Sequence, residues 1–138
     1  MPAGEAPTLS SPTRDAKLVA PAGVHAMKKI EAIVRTFKLE DVVQRLRAVG
    51  VTGMTVTDVQ GLSPSTATQN VFRGSRYMTE SAPRYQLMIV VLDEAVDAVV
   101  RAIRVAGTTE SPGDGIVTIS NVAAVVRVRT GETGAAAL

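Results

Sequence analysis

The chain has 138 residues, 46 % of them hydrophobic and 3 % aromatic, with 15 basic against 13 acidic side chains; this is enough for one domain with an ordinary core. A net charge of +2 with no dense Lys/Arg run, and only Phe37, Phe72, Tyr77 and Tyr85 as aromatics, argue against a nucleic-acid partner, which needs a basic stripe or a stacking platform. The absence of cysteine and the single histidine, His25, exclude disulfides, thiolate nucleophiles, cysteine metal sites and a histidine triad within the domain.

Residues 1–26 hold four of the seven prolines, and their charges (Glu5, Arg14, Asp15, Lys17) cancel. With no apolar period, they read as a flexible extension. They lack a charged segment followed by an apolar one, so no secretory signal is expected. No apolar run approaches the roughly 18 residues of a membrane span. The expected location is the cytoplasm, without membrane insertion.

Lys28 to Arg35 alternates and then turns apolar, as a strand does. Leu39, Val42, Val43, Leu46 and Val49 follow at helical spacing, with Glu40, Asp41, Arg45 and Arg47 off that face. Gly50 stands where a helix C-terminus favours a left-handed residue. Val51 to Gln60, rich in Thr and Val, predicts a second strand. Gly61 to Pro83 shows neither period and reads as a long loop; such insertions are often functional. Tyr85 to Val91 predicts a strand, and Asp93 an N-cap for a helix carrying Val96, Val99, Val100 and Ile103. Gly107 ends that helix. Thr108 to Gly115 is turn-rich, Ile116–Ile119 and Ala123–Arg129 predict one interrupted strand or two short ones, and residues 133–138 are expected to fray.

The order is β-α-β, long loop, β-α-β. Two such units form an α+β, ferredoxin-like sandwich: a four-stranded antiparallel sheet with two helices on one face. The apolar strands make a bare second face improbable, so assembly into a closed ring of subunits through that face is expected.

Two clusters carry chemistry. The turn Gly113-Asp114-Gly115 lets backbone N–H groups approach a phosphate closely. Arg127 and Arg129, two apart on a predicted strand, would share one face, and guanidinium forks match phosphate geometry. Read alone, the first could be a hairpin connection and the second a solvated strand face. Asp58 and Glu94 show no carboxylate partner at useful spacing, so no acid/base pair is proposed. The chain reads as a holder of nucleotide rather than an enzyme. The enzymatic alternative is a slow ATP hydrolase in which Asp114 orients water.

The runs Met27-Lys28-Lys29-Ile30-Glu31-Ala32-Ile33, Thr52-Gly53-Met54-Thr55-Val56-Thr57, Arg73-Gly74-Ser75-Arg76-Tyr77-Met78, Gly113-Asp114-Gly115 and Arg127-Val128-Arg129-Thr130-Gly131-Glu132 resemble the PII signal-transduction proteins over residues 27–132. The resemblance implies a homotrimer that binds adenine nucleotides in clefts between subunits and uses a long mobile loop, here residues 61–83, on a target protein. It implies Ile33, Gly53, Met54 and Thr55 near the adenine and ribose, Gly61 at the loop base, Gly113, Asp114 and Gly115 as the phosphate-side turn, and Arg127 and Arg129 on phosphates. Loop residues Gln69, Asn70, Arg73 and Arg76 are candidate contacts for the target or a small anion. Tyr77 stands at a position uridylylated in some members.

The departures are specific. Ser65 stands where 2-oxoglutarate sensors carry glutamine, Pro64 where arginine is common, Arg84 and Ile116 where lysines are common, and Phe72 replaces another common loop tyrosine. A serine cannot supply the amide that helps arrange magnesium and the oxo-acid, and Ile116 removes an ammonium from the phosphate end. ADP or AMP is therefore expected over ATP. In what it lacks, the chain is similar to PII-like members tied to bicarbonate transporters or carboxysomes, with bicarbonate as a further effector. The alternative is nitrogen control with a weakened 2-oxoglutarate site.

Overall fold

The structure, a computed structural model, describes residues 26–64, 70–72, 75–77 and 79–138. Strand β1 (Met27–Arg35) runs through a 3-10 turn (Thr36–Lys38) into helix α1 (Leu39–Ala48). Strands β2 (Thr55–Pro64), β3 (Asn70–Phe72), β4 (Ser75–Tyr77) and β5 (Thr79–Leu92) follow. A second 3-10 turn (Asp93–Ala95) leads to helix α2 (Val96–Gly107), then strand β6 (Gly115–Val122). The main sheet has the order β2-β5-β1-β6 with every neighbour antiparallel, the ferredoxin-like arrangement.

Alternation decides which face is covered. Ile30, Ala32 and Val34 of β1 and Leu87 and Ile89 of β5 are buried in one cluster with Val42 and Leu46 of α1 and Val99, Ala102 and Ile103 of α2. Gly107 closes α2 tightly: a Cβ there would lie 3.8 Å from both Val34 and Val42. Helix α1 ends in a Schellman arrangement, with Val51 N–H donating to Leu46 O (3.0 Å), Gly50 N–H to Arg47 O (3.0 Å) and Gly50 at φ +98°. Val51, just beyond, is buried against the same cluster.

The opposite face is mixed rather than apolar. It carries Lys29, Glu31 and Arg35 of β1 around Ile33, with Gln86 Nε2 donating to Glu31 Oε2 at 3.0 Å. The register also sets Met88 and Val90 of β5 and the exposed Ile116 of β6 on this face, so apolar and polar side chains share it.

Four boundaries differ from the sequence reading. Strand β2 starts at Thr55, because Gly50–Gly53 is taken up in reversing the chain after α1. The loop expected over 61–83 is narrower. β2 and β5 stay paired through Gly61↔Ala82 and Pro64↔Thr79, and β3 pairs with β4. Ladder hydrogen bonds use backbone groups, so a polar, aperiodic sequence still makes a two-stranded ribbon. Asp93 caps nothing: its carboxylate accepts from Lys28 Nζ at 2.6 Å, and Ala95 precedes α2 without a side-chain cap. The segment 133–138 does not fray but forms a 3-10 turn (Gly134–Ala137) that buries Ala137.

No helix among the described residues is long and apolar enough to cross a membrane. Those residues also hold no group of three His, Asp or Glu side chains placed to bind a metal ion.

Candidate functional site

The turn between α2 and β6 is built from short polar residues and tied by one carboxylate. Asp114 accepts from Thr109 N–H at Oδ2 (2.7 Å) and from the Thr109 hydroxyl at Oδ1. Arg35 reaches in from the end of β1, with Nε donating to Asp114 Oδ1 at 3.0 Å and Nη2 to Pro112 O at 2.7 Å. Arg84, the register partner of Arg35 on β5, donates from Nη2 to Gly113 O at 3.3 Å.

Gly113 (φ +98°) and Gly115 (φ +120°) both occupy backbone conformations that side chains disfavour. The space is also closed. A Cβ on Gly113 would lie 3.3 Å from Arg35 Nη2, and one on Gly115 would lie 1.7 Å from Ile33 O. Gly61, at the root of the β2–β5 ribbon, would place a Cβ 3.2 Å from Arg84 Cγ. Gly61, Arg84, Arg35 and the 113–115 turn thus form one patch at one end of the sheet.

The Asp114 carboxyl is held down to about 2, first by the Thr109 hydroxyl and amide and then by Arg35. A carboxylate whose folded value lies below its unfolded one stabilises the fold above pH 4, and this contribution is lost as pH falls through about 2. The midpoint of thermal unfolding should therefore drop between pH 4 and pH 2 partly through this group. Asp114→Asn should show a shallower drop over that window and no added pH dependence above it. Equal slopes in the two proteins would show that the clasp does not contribute. The carboxylate is thus engaged by Thr109 and Arg35, which tie the turn together.

A second patch lies at the other end of β2. Gly53, Met54 and Thr55 line a cleft of about 630 Å³ with Met88 to Leu92 of β5, Arg127, Ala137 and Leu138. Gly53 and Thr55 are exposed, and Met54 is half-buried against the core. Arg127 Nη2 donates to Leu138 O at 3.1 Å, and Nε lies 3.8 Å from Glu132 Oε1.

Arg127 and Arg129 do not share a strand face. The chain after β6 leaves the main sheet and folds back on itself, with a single antiparallel bridge between Val126 and Thr133. Residues 127–132 close into a turn through Arg127 N–H to Glu132 O and Gly131 N–H to Arg127 O, both 2.8 Å, with Gly131 at φ +75°. Arg129 is exposed in that turn and makes no hydrogen bond or ion pair among the described residues. The period-2 rule does not apply to the pair, and the Thr130-Gly131 turn signal was the warning.

The structure thus separates the residues expected at one nucleotide. Gly61, Gly113, Asp114 and Gly115 fall in the first patch, with Ile33 beside Asp114, Gly115 and Ile116 in an adjoining cavity of about 380 Å³. Gly53, Met54, Thr55 and Arg127 fall in the second. Along β2, Thr55 to Gly61 is about 20 Å, too far for one small ligand to touch both ends on one protomer. Arg35 and Thr109 were not singled out from the sequence, and Arg84 was noted only as standing where a lysine is common. Gln69 and Arg73 lie outside the described residues. Asn70, Arg76 and Tyr77 are placed only as strand positions of the β3–β4 hairpin, with Asn70 opposite Tyr77.

A family model for "Nitrogen regulatory protein P-II" matches residues 27–132. The chain belongs to the P-II family. A P-II protein from Rhizobium meliloti is 44 % identical over 108 residues, covering 78 % of this chain and 96 % of that one. The solved structure of the Bacillus subtilis GlnK–ATP complex aligns with a TM-score of 0.70 at 32 % identity, covering 82 % of this chain and 98 % of that one. Arabidopsis thaliana PII bound to citrate aligns with a TM-score of 0.65 at 30 % identity, covering 82 % and 92 %. The matched P-II region starts at β1 and takes in the first patch, the ribbon, the Arg127–Glu132 turn and all of the second patch except Ala137 and Leu138.

Proposed function

We propose that the chain is a non-enzymatic regulator that binds an adenine nucleotide between subunits of a trimer and reports it through the β2–β5 ribbon. The observation that carries this reading is the split site. One end of β2 offers Gly53, Met54, Thr55 and Arg127, and the other offers the clasped turn at Gly113–Gly115. A neighbouring copy that sets its turn against this cleft completes a pocket that neither protomer encloses alone. Membership of the P-II family and the likeness to a GlnK–ATP complex support adenine nucleotide as the ligand class.

In this reading the cleft takes the base and ribose, and Arg127, Arg129 and the turn amides take the phosphates. Arg84 joins ligand to read-out, because it spans from the ribbon root at Gly61 to the carbonyl of Gly113. ADP or AMP is favoured over ATP, since β6 presents the exposed, uncharged Ile116 where an ammonium would meet a terminal phosphate. The target is a protein contacted by the ribbon and its hairpin, including residues 69–77 and, where modification occurs, Tyr77. Bicarbonate and an inorganic-carbon target are an extension of this reading, supported only by the likeness of the changes at Pro64, Ser65 and Arg84 to PII-like members tied to inorganic carbon. The names of the relatives favour a second reading, nitrogen control.

Calorimetric titration of the trimer with AMP, ADP and ATP, repeated with bicarbonate and with 2-oxoglutarate, tests both. We expect uptake of ADP or AMP ahead of ATP. Enhancement by bicarbonate supports the carbon reading, and enhancement by 2-oxoglutarate the nitrogen one. A monomer that takes up none of the three would overturn the proposal. Steady conversion of ATP to ADP that Asp114→Asn abolishes would restore the hydrolase.

A further inference from the structure

A turn that presents backbone N–H groups to an anion works only if it holds still, yet nothing in residues 108–115 is intrinsically stiff except Pro112. Two glycines at positive φ flank Asp114, and each has many conformers to lose. Within the connection, Asp114 ties back to Thr109, and Thr109 Oγ1 accepts from Ser111 N–H at 3.1 Å. Those bonds close the loop on itself, and its one link to the sheet ladder is Gly115, which opens β6 opposite Val34.

Arg35 fixes it. Its Nε and Nη2 reach two different groups of the turn, the Asp114 carboxylate at 3.0 Å and the Pro112 carbonyl at 2.7 Å. The side chains of Arg35 and Asp114 are only 17 % and 28 % exposed, so solvent screens this pair less than an open surface ion pair. A planar fork with donors at fixed angles can hold both acceptors at once, whereas an ammonium is a point charge without that geometry. Arg84 adds a longer contact to Gly113 O.

We propose that Arg35 is the positioning residue of the phosphate-side turn: by holding Asp114 and Pro112 to the end of β1, it fixes Gly113–Gly115 in the shape that receives a nucleotide's phosphates without touching the ligand. This rests on the nucleotide reading above. It implies that Arg35 matters to the phosphates and not to the nucleoside.

The test uses the full chain with Arg35→Gln, Arg35→Lys and, as a control on the exposed side of α2, Arg101→Gln. Affinities for ADP and for adenosine are measured alongside amide exchange at Gly113 and Gly115. For Arg35→Gln the ADP Kd should rise about tenfold while adenosine binding changes less than about twofold, as for a group that orients a binding element. The two glycine amides should exchange faster, Arg35→Lys should recover part of both effects, and Arg101→Gln should match wild type. Equal losses for ADP and adenosine would overturn the proposal by showing general damage. So would an unchanged ADP affinity, with or without faster exchange. If Arg35→Gln does not fold, Arg35→Lys carries the same comparison. A wild-type trimer that takes up neither ligand ends the nucleotide reading and the phosphate role together. The exchange measurement then separately shows whether Arg35 holds the turn.

Discussion

Replacing Arg127 and Arg129 together by glutamine should raise the Kd for ADP by about a hundredfold or more while leaving the fold intact. Each charge-assisted contact to a phosphate is worth about 1.5–3 kcal/mol, so two contribute about 3–6 kcal/mol, or two to four powers of ten. The lower end is expected here. Arg127 already gives one hydrogen bond to Leu138 O and lies near Glu132, and a phosphate must compete with both. Both arginines are exposed and neither belongs to the buried cluster, so unfolding should be unchanged. The single substitutions rank the two: Arg129, with no competing partner among the described residues, should cost more per side chain. A double variant that binds ADP within about threefold of wild type would remove both arginines from the site.

Gly115→Ala should be the most damaging small change in the molecule. The added Cβ would stand 1.7 Å from the Ile33 carbonyl oxygen and 2.9 Å from its carbon, both backbone atoms that cannot swing aside. The φ of +120° adds strain of about 1–3 kcal/mol by itself. Relief requires β6 to part from β1, where Gly115 pairs with Val34. A midpoint of unfolding lower by about 10 °C is expected, with loss of ADP uptake. Gly53→Ala is the stability control, since a Cβ there meets nothing within 4 Å. Equal midpoints for the two alanine variants would mean that the turn adapts at no cost.

The sheet and helices could be read from residue types because burial wrote them into local patterns. Ile30, Ala32 and Val34 alternate, while Val42 and Leu46 recur at helical spacing, and each meets the core. Gly50 announced its helix end by the same local logic. The ribbon beyond Gly61 was illegible because main-chain pairing leaves no mark on side-chain order. The start of the 127–132 turn was misread as the end of a strand over Ala123–Arg129, because alternating Val and Arg outweighed the glycine at position 131. The Arg35–Asp114 clasp joins residues 79 apart, and no spacing rule connects them. The glycine turn itself was visible. The side chains that tie it down were not.

The proposed division of the ligand surface between the two ends of β2 has a genetic corollary. In that assembly no protomer owns its ligand outright, so a lesion at the turn of one copy is felt at the cleft of its neighbour. Trimers mixed from a turn-defective and a cleft-defective chain would regain some whole pockets that neither parent forms, and a defective copy expressed beside a sound one would spoil sites it only half builds.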